Sequence, residues 1–190
     1  MNIKDKRNLT ADISLISVFT AVMCVCSWIS IPFMGIPFSL QTLAVFVTAS
    51  VLGSKKAVIS VLIYICLGVI GVPVFTGFKS GASVLLSPTG GYLIGFIFAA
   101  GIIGLMIKLL PEKKWIKWLS MLTGQVICYI AGIVWYEFVY LDTAVYIKEA
   151  LLICVVPFII PDIIKTAAAV ILSDSVNRIF KKQNIDTLRK

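Results

Sequence analysis

Two opposite charges stand three residues apart in one of the most apolar stretches of the chain. The stretch VVPFIIPDIIK contains Asp162 and Lys165. If it is helical, this spacing puts both side chains on one face. The pair could be a structural ion pair or a polar anchor for a buried solute. We favour the anchor, because Pro157 and Pro161 leave backbone carbonyls without helical partners, which is typical of backbone that lines a cavity.

The composition around this pair is that of a membrane protein. Hydrophobic residues make up 59% of the 190 residues and charged residues 14%, against about 45–50% and about 25% in soluble domains. A charge in the hydrocarbon costs at least about 2.5–3.5 kcal/mol, so charges that remain there face an interior cavity and find a partner. We therefore expect residues 1–190 to form a single membrane domain.

Uncharged stretches, glycines and prolines divide the chain into six predicted helices. Pro32, Gly35 and Pro37 split the first long uncharged stretch, and Pro73 ends the third helix. The predicted helices span residues 12–31, 39–54, 56–71, 90–107, 118–136 and 150–173. A membrane span needs about 20 residues, so the short second and third helices are expected to tilt or to lie in a thinned bilayer. The predicted fold class is an all-α membrane protein with six transmembrane helices.

Lysine and arginine distinguish the two sides of the membrane. Fourteen of the 17 lie in short clusters, at residues 4–7, 55–56, 108–117 and 178–190. The positive-inside rule then predicts that both termini lie inside and that the loop of residues 72–88 lies outside. The clusters form no stripe with interleaved aromatic residues, which excludes a nucleic-acid groove.

Several chemistries are excluded by residues that the chain lacks. It contains no histidine, the commonest metal ligand and general base. Its five cysteines lie in apolar stretches without a CxxC spacing, so we expect them to be packing residues. GVPVFTGFKS does not have the spacing of a phosphate-binding loop. We expect no cofactor, no metal and no nucleotide hydrolysis by this chain.

The loop of residues 72–88 mixes glycine and hydroxyl residues with large apolar ones such as Phe78. A disordered linker would contain fewer large apolar residues, so the pattern favours a lid over a pocket. Gly90 and Gly91 let the backbone approach closely just before Tyr92. In the first outer turn, Gln41 offers an amide that can both donate and accept.

Rows of small residues occur in the fourth and fifth helices, in GYLIGFIFA (residues 91–99) and GQVICYIAG (residues 124–132). Small residues spaced by four allow helix backbones to approach closely. We expect these rows to pack within the monomer, with a partner surface as the alternative.

Three stretches together resemble the BioY family, the biotin-specific substrate-binding (S) components of energy-coupling factor (ECF) vitamin transporters. They are IPFMGIPFSLQTLAV (residues 31–45), LGVIGVPVFTGFKSGASVLLSPTGGYLIGF (67–96) and VPFIIPDIIK (156–165). The family commonly has Pro-Gly-Asp where this chain has Ile160-Pro161-Asp162, but the Asp-x-x-Lys spacing is retained. The resemblance implies an S-component-like six-helix bundle in the bacterial cytoplasmic membrane, with an outward-facing vitamin pocket.

The resemblance also implies partners and roles. The partners would be biotin, a transmembrane coupling (T) component and two ATPase subunits. Asp162 would accept a hydrogen bond from a ureido N–H of biotin, and Lys165 would donate to the ureido oxygen or pair with Asp162. The rest of the pocket would be lined by Tyr92, Gln41, Thr89 and Phe78. Lys79 is a candidate for the biotin carboxylate.

Two other functions are alternatives to a capture subunit that relies on an external ATPase. One is a stand-alone or homo-oligomeric biotin permease, which would need coupling-ion residues beyond the Asp162–Lys165 pair. The other is an intramembrane enzyme, which would need a nucleophile and base that the chain lacks. The sequence therefore favours a transporter subunit that is not an enzyme.

Overall fold

The computed structural model describes residues 3–32, 36–110, 115–140, 151–152 and 154–182. Its six labelled helices are α1 Ile3–Trp28, α2 Gln41–Leu52, α3 Ser54–Val69, α4 Gly90–Leu109, α5 Trp115–Trp135 and α6 Ile159–Lys182. A small antiparallel hairpin pairs β1 (Ser30–Ile31) with β2 (Phe38–Ser39). Short 3-10 turns cover Ala82–Val84 and Val156–Phe158, and a π-helical turn covers Tyr136–Tyr140.

The short helix α2 lies at the centre of the bundle. Ten of its twelve residues are buried, because α2 packs against α1, α3, α4 and α6. At 1.5 Å per residue it is only about 18 Å long. A helix surrounded by other helices keeps its backbone hydrogen bonds away from lipid whatever its length. Burial within the bundle therefore explains how so short an apolar helix is stable here.

In the part of the chain that the structure describes, four helices are long and apolar enough to cross a membrane: Leu9–Trp28, Gly90–Leu109, Trp115–Phe138 and Val156–Lys182. Their outer faces expose large aliphatic side chains, among them Ile130 and Val134 on α5 and Ile164 and Ile171 on α6. A soluble protein rarely exposes such continuous apolar surface. These faces are suited to lipid, in agreement with the predicted membrane protein.

The small-residue rows of α4 and α5 pack against each other. A Cβ atom added to Gly91 would lie 2.4 Å from Cβ of Trp135 and 2.5 Å from the carbonyl oxygen of Ala131. One added to Gly95 would lie 3.0 Å from Cα of Cys128. This confirms the prediction that the two rows bring helices together within the monomer.

The first predicted helix, residues 12–31, has the wrong boundaries. The observed α1 starts at Ile3 and ends at Trp28. Ser30 and Ile31 instead pair with β2 in the hairpin. Ile31 precedes Pro32, and a residue before proline is disfavoured in helical conformation. Gly35, which was predicted to help split this stretch, lies outside the described residues.

The last predicted helix, residues 150–173, ends too early, because the observed helix continues to Lys182. Residues 150 and 153 lie outside the described residues, and a 3-10 turn containing Pro157 precedes α6. Pro161 does not interrupt the helix but lies in its first turn, where the missing N–H of proline has no helical partner to lose. Asp162 thus lies in the first turn of a helix that continues to Lys182.

Gly104 on α4 provides a test of this packing. A Cβ atom there would lie 2.2 Å from the backbone nitrogen of Ser54, whereas one on Gly101 would have its nearest neighbour 3.6 Å away, on Val58. We expect Gly104→Ala to lower the thermal unfolding midpoint in detergent by several degrees, because α4 must move away from α3. Gly101→Ala is the matched control and should not lower it. Equal midpoints for both variants would contradict the described packing.

Candidate binding cavity

A cavity lies at the end of the bundle where α2, α4 and α6 begin, beneath the loop of residues 72–88. The volume open to the centre of a water-sized sphere is about 100 Å³. By the same measure, a cavity that holds a single water needs roughly 10–15 Å³. It therefore has room for a small organic molecule. Its aromatic wall is formed by Phe38, Phe75, Phe96 and Phe158.

The ion pair predicted from the sequence lies in this cavity. Asp162 is in the first turn of α6 and Lys165 one turn later, and Nζ of Lys165 lies 2.5 Å from Oδ1 of Asp162. Both residues are buried, with 5% and 7% of their surface exposed. A carboxylate in the first turn is also favoured by the helix dipole. The two charges thus stabilise each other inside the protein and remain at the surface of a cavity.

Two side chains of α5 fix the second oxygen of Asp162. Gln125 donates from Nε2 to Oδ2 of Asp162 at 2.8 Å, and the Tyr129 hydroxyl donates to the same oxygen at 2.7 Å. Sequence analysis did not select either residue. Their spacing of four on one helical face was the available signal, together with the scarcity of amides in the membrane helices.

The hairpin fixes Lys165 from the opposite side. Lys165 donates from Nζ to the carbonyl oxygen of Ser39 at 3.1 Å, and its ammonium lies 4.3 Å from the centroid of the Phe38 ring. The first contact uses a backbone acceptor and the second is a cation–π contact. The pairing of β1 with β2 therefore positions the head of Lys165, which explains why this irregular segment lies next to the site.

The loop of residues 72–88 is anchored to the bundle at its start. The carbonyl oxygen of Val74 accepts hydrogen bonds from Ser27 Oγ at 2.5 Å and from the Tyr64 hydroxyl at 2.9 Å. Phe75 is buried against Gly68, where an added Cβ would lie 2.1 Å from the ring. These contacts hold the following residues, including Thr76, over the cavity. The loop is folded onto the helices, as the sequence predicted for a lid.

Most of the residues selected from the sequence lie around the cavity. Its lining includes Asp162, Lys165, Gln41, Tyr92, Thr89 and Lys79. Phe78 is not among the lining residues: it is 62% exposed, has a φ of 59° and stacks on Trp28 with the ring centroids 5.1 Å apart. The loop turns its backbone at Phe78, so the ring points to α1 and away from the pocket.

The neutral polar groups of the cavity differ in how well they are paired. The Tyr92 hydroxyl donates to the carbonyl oxygen of Cys154, and the hydroxyls of Thr89 and Ser87 lie 2.8 Å apart. Gln41 accepts from Oγ1 of Thr76 at 3.4 Å through its Oε1. Within the described part of the chain, Nε2 of Gln41 and Oε1 of Gln125 have no hydrogen-bond partner.

This arrangement is suited to binding a small molecule. Among the described residues there is no group of three or more His, Cys, Asp and Glu side chains that could hold a metal ion. The cavity instead combines an aromatic wall with one ion pair and uncharged donors and acceptors. Pockets of this kind bind small molecules that have an apolar body and a polar head.

Comparisons with protein families, with curated proteins and with solved structures all point to the same family. A family model described as the BioY family matches residues 1–182. The "Biotin transporter BioY" of Thermotoga maritima is 41% identical, over 82% of this chain and 89% of the relative. The "Probable biotin transporter BioY" of Pyrococcus horikoshii is 37% identical, over 86% and 94%. A crystal structure of the S-component for biotin from an ECF-type ABC transporter matches with a TM-score of 0.82 and 26% identity, covering 94% of this chain and 95% of the other.

Proposed function

Because the chain belongs to the BioY family, as its sequence predicted, we propose that it captures biotin and delivers it across the membrane as the S component of an ECF-type transporter. The family consists of transport proteins and not enzymes. The observation that carries the proposal is the Asp162–Lys165 pair facing a cavity with an aromatic wall.

The chemistry of biotin is complementary to this cavity. Its ureido head has two N–H donors and one carbonyl acceptor, which correspond to the carboxylate of Asp162 and the ammonium of Lys165. Its apolar bicycle corresponds to the aromatic wall. A site built to hydrogen-bond a polar head rejects analogues that lack it, because its own buried groups are then left unpaired. The proposed site therefore selects for the ureido group.

The carboxylate of biotin is assigned to Lys79. Lys79 lies in the loop and lines the cavity. The described residues provide no carboxylate within ion-pair distance of its ammonium. Such a lysine at the mouth of the cavity can receive an anionic tail while the head lies deeper, near Asp162. The tail would then be held by a charge-assisted hydrogen bond, which is stronger than a neutral one.

We expect Lys79→Gln to reduce the preference of the protein for biotin over biotin amide by about tenfold, since hydrogen bonds to charged groups contribute about 1.5–3 kcal/mol. The measurement is titration of both ligands into both proteins. Lys108→Gln, at the opposite end of α4, is the matched control and should keep the wild-type preference. An unchanged preference in Lys79→Gln would exclude Lys79 as the carboxylate partner.

The proposal includes six spans, with both termini and the basic clusters inside. Lys108 lies in the last turn of α4, and Lys181 and Lys182 lie in the last turn of α6. The cavity lies at the opposite ends of these two helices, where Tyr92 and Asp162 are found. The positive-inside rule then directs the cavity to the outside. Residues 113–114, 148 and 189–190, which also bear on orientation, lie outside the described residues.

An external energy source distinguishes an S component from a permease. We propose a T component and two ATPase subunits as partners, because the chain contains no phosphate-binding loop and matches an S component over nearly its full length. The test is uptake of labelled biotin in bacteria that lack their own biotin transporter, with and without a coexpressed coupling module. Accumulation only with the module is the expected result.

Accumulation without any module would favour the stand-alone or homo-oligomeric permease. A module whose ATPases carry a substituted catalytic residue is the matched control, because it retains the protein contacts but not hydrolysis. Uptake that persists with this inactive module would also contradict the S-component proposal while leaving biotin binding in place.

A further inference from the structure

Two glutamine amides in the cavity have unused hydrogen-bonding groups. Gln41, at the start of α2, is 4% exposed, and Gln125, on α5, is 7% exposed. Both line the cavity. Nε2 of Gln41 and Oε1 of Gln125 have no partner among the described residues. Buried polar groups are nearly always paired, so these two groups are available to hydrogen-bond a ligand that enters the cavity.

In the structure, the contacts of each amide leave a different end available. Thr76 donates to Oε1 of Gln41, which leaves the donor end of that amide free. Gln125 donates from Nε2 to Asp162, which leaves its acceptor end free. One amide therefore offers a donor and the other an acceptor, and both are uncharged.

We propose that Gln41 and Gln125 determine specificity for a cyclic urea head, so that Gln41 donates to its carbonyl oxygen and Gln125 accepts from one N–H. This inference rests on the proposed function and extends its site. A ureido group has two N–H donors and a carbonyl oxygen with two lone pairs. The cavity offers one partner for each of these groups: Asp162 and Gln125 supply two acceptors, while Lys165 and Gln41 supply two donors.

The ion pair and the two amides select for different properties of the ligand, because only the pair is charged. Asp162 and Lys165 neutralise each other at 2.5 Å, so the pair as a whole does not favour a charged head. The free donor of Gln41 disfavours any head that carries only donors, such as a guanidinium. The amides thus allow the site to distinguish a neutral urea from a cation of the same shape.

The test exchanges the donor of Gln41 for an acceptor of the same shape. Biotin and 2-iminobiotin, in which a guanidinium replaces the ureido group, are titrated into the wild type and Gln41→Glu at neutral pH. We expect the variant to bind biotin at least tenfold more weakly and 2-iminobiotin more tightly than the wild type. A loss of general packing would weaken both ligands alike, and an equal loss for both would overturn the proposal.

Two further variants complete the test. Gln41→Met removes the amide without adding charge, and we expect it to weaken biotin at least tenfold and 2-iminobiotin by less than threefold. If Gln41→Glu does not fold, the unequal effect of Gln41→Met on biotin and 2-iminobiotin tests the proposal instead. Thr123→Val, on the outer face of α5, is the control and should bind both ligands as the wild type does. A wild type that fails to bind biotin would contradict the proposed function itself, whereas normal biotin binding by Gln41→Met would overturn only this inference.

Discussion

Asp162→Ala is expected to weaken biotin binding at least tenfold. The variant removes the acceptor assigned to the ureido group and leaves Lys165, Gln125 and Tyr129 without their shared partner. A buried group that loses its partner costs about 1–3 kcal/mol, and more if it is charged, while about 1.4 kcal/mol is a factor of ten in affinity. Titration calorimetry on the purified variant measures the change.

Asp174→Asn is the matched control for this variant. Asp174 lies on the same helix and also forms an ion pair, with Lys117, but it does not line the cavity. We expect its biotin affinity to equal that of the wild type. If Asp162→Ala binds biotin as tightly as Asp174→Asn does, then Asp162 is not the anchor of the ligand.

The second large effect is expected for Lys165→Met, in both stability and binding. The variant leaves the buried carboxylate of Asp162 without its cation, and breaking one side of a buried pair costs about 3–5 kcal/mol. We therefore expect a marked drop in the thermal unfolding midpoint together with loss of biotin binding. Thermal unfolding in detergent and calorimetry measure the two effects separately.

The double variant Asp162→Asn/Lys165→Met separates a structural ion pair from a binding site. Removing both charges leaves no uncompensated charge, so we expect most of the stability to return. Biotin binding should remain lost, because the groups assigned to the ureido head are gone. A stable double variant that binds biotin like the wild type would show that the pair serves only the fold.

The buried ion pair could be predicted from the sequence because a charge in an apolar helix has few explanations. The spacing of Asp162 and Lys165 was sufficient to place both on one face, and the structure has them paired. The lid was predictable for a similar reason, since large apolar residues in a glycine-rich loop need a surface to cover them. Both features were predictable because neighbouring residues in the sequence were enough to indicate them.

Features that depend on contacts between distant segments could not be predicted. Gln125 and Tyr129 reach Asp162 across 37 and 33 residues of chain. Their spacing on α5 marks them as neighbours, but no local pattern encodes which distant residue they contact. The hairpin of β1 and β2 has two residues per strand, too few for a recognisable alternation. Phe78 was selected as an aromatic residue in the lid, but its positive φ and its stacking on Trp28 depend on the folded loop.

The most direct test of the central claim is titration of biotin into the purified chain in detergent, without nucleotide and with riboflavin and thiamine as controls. We predict saturable binding of biotin and no detectable heat of binding for either control. Absence of biotin binding by a sample that unfolds cooperatively would contradict the account, since the cavity with Asp162 and Lys165 would then serve another ligand.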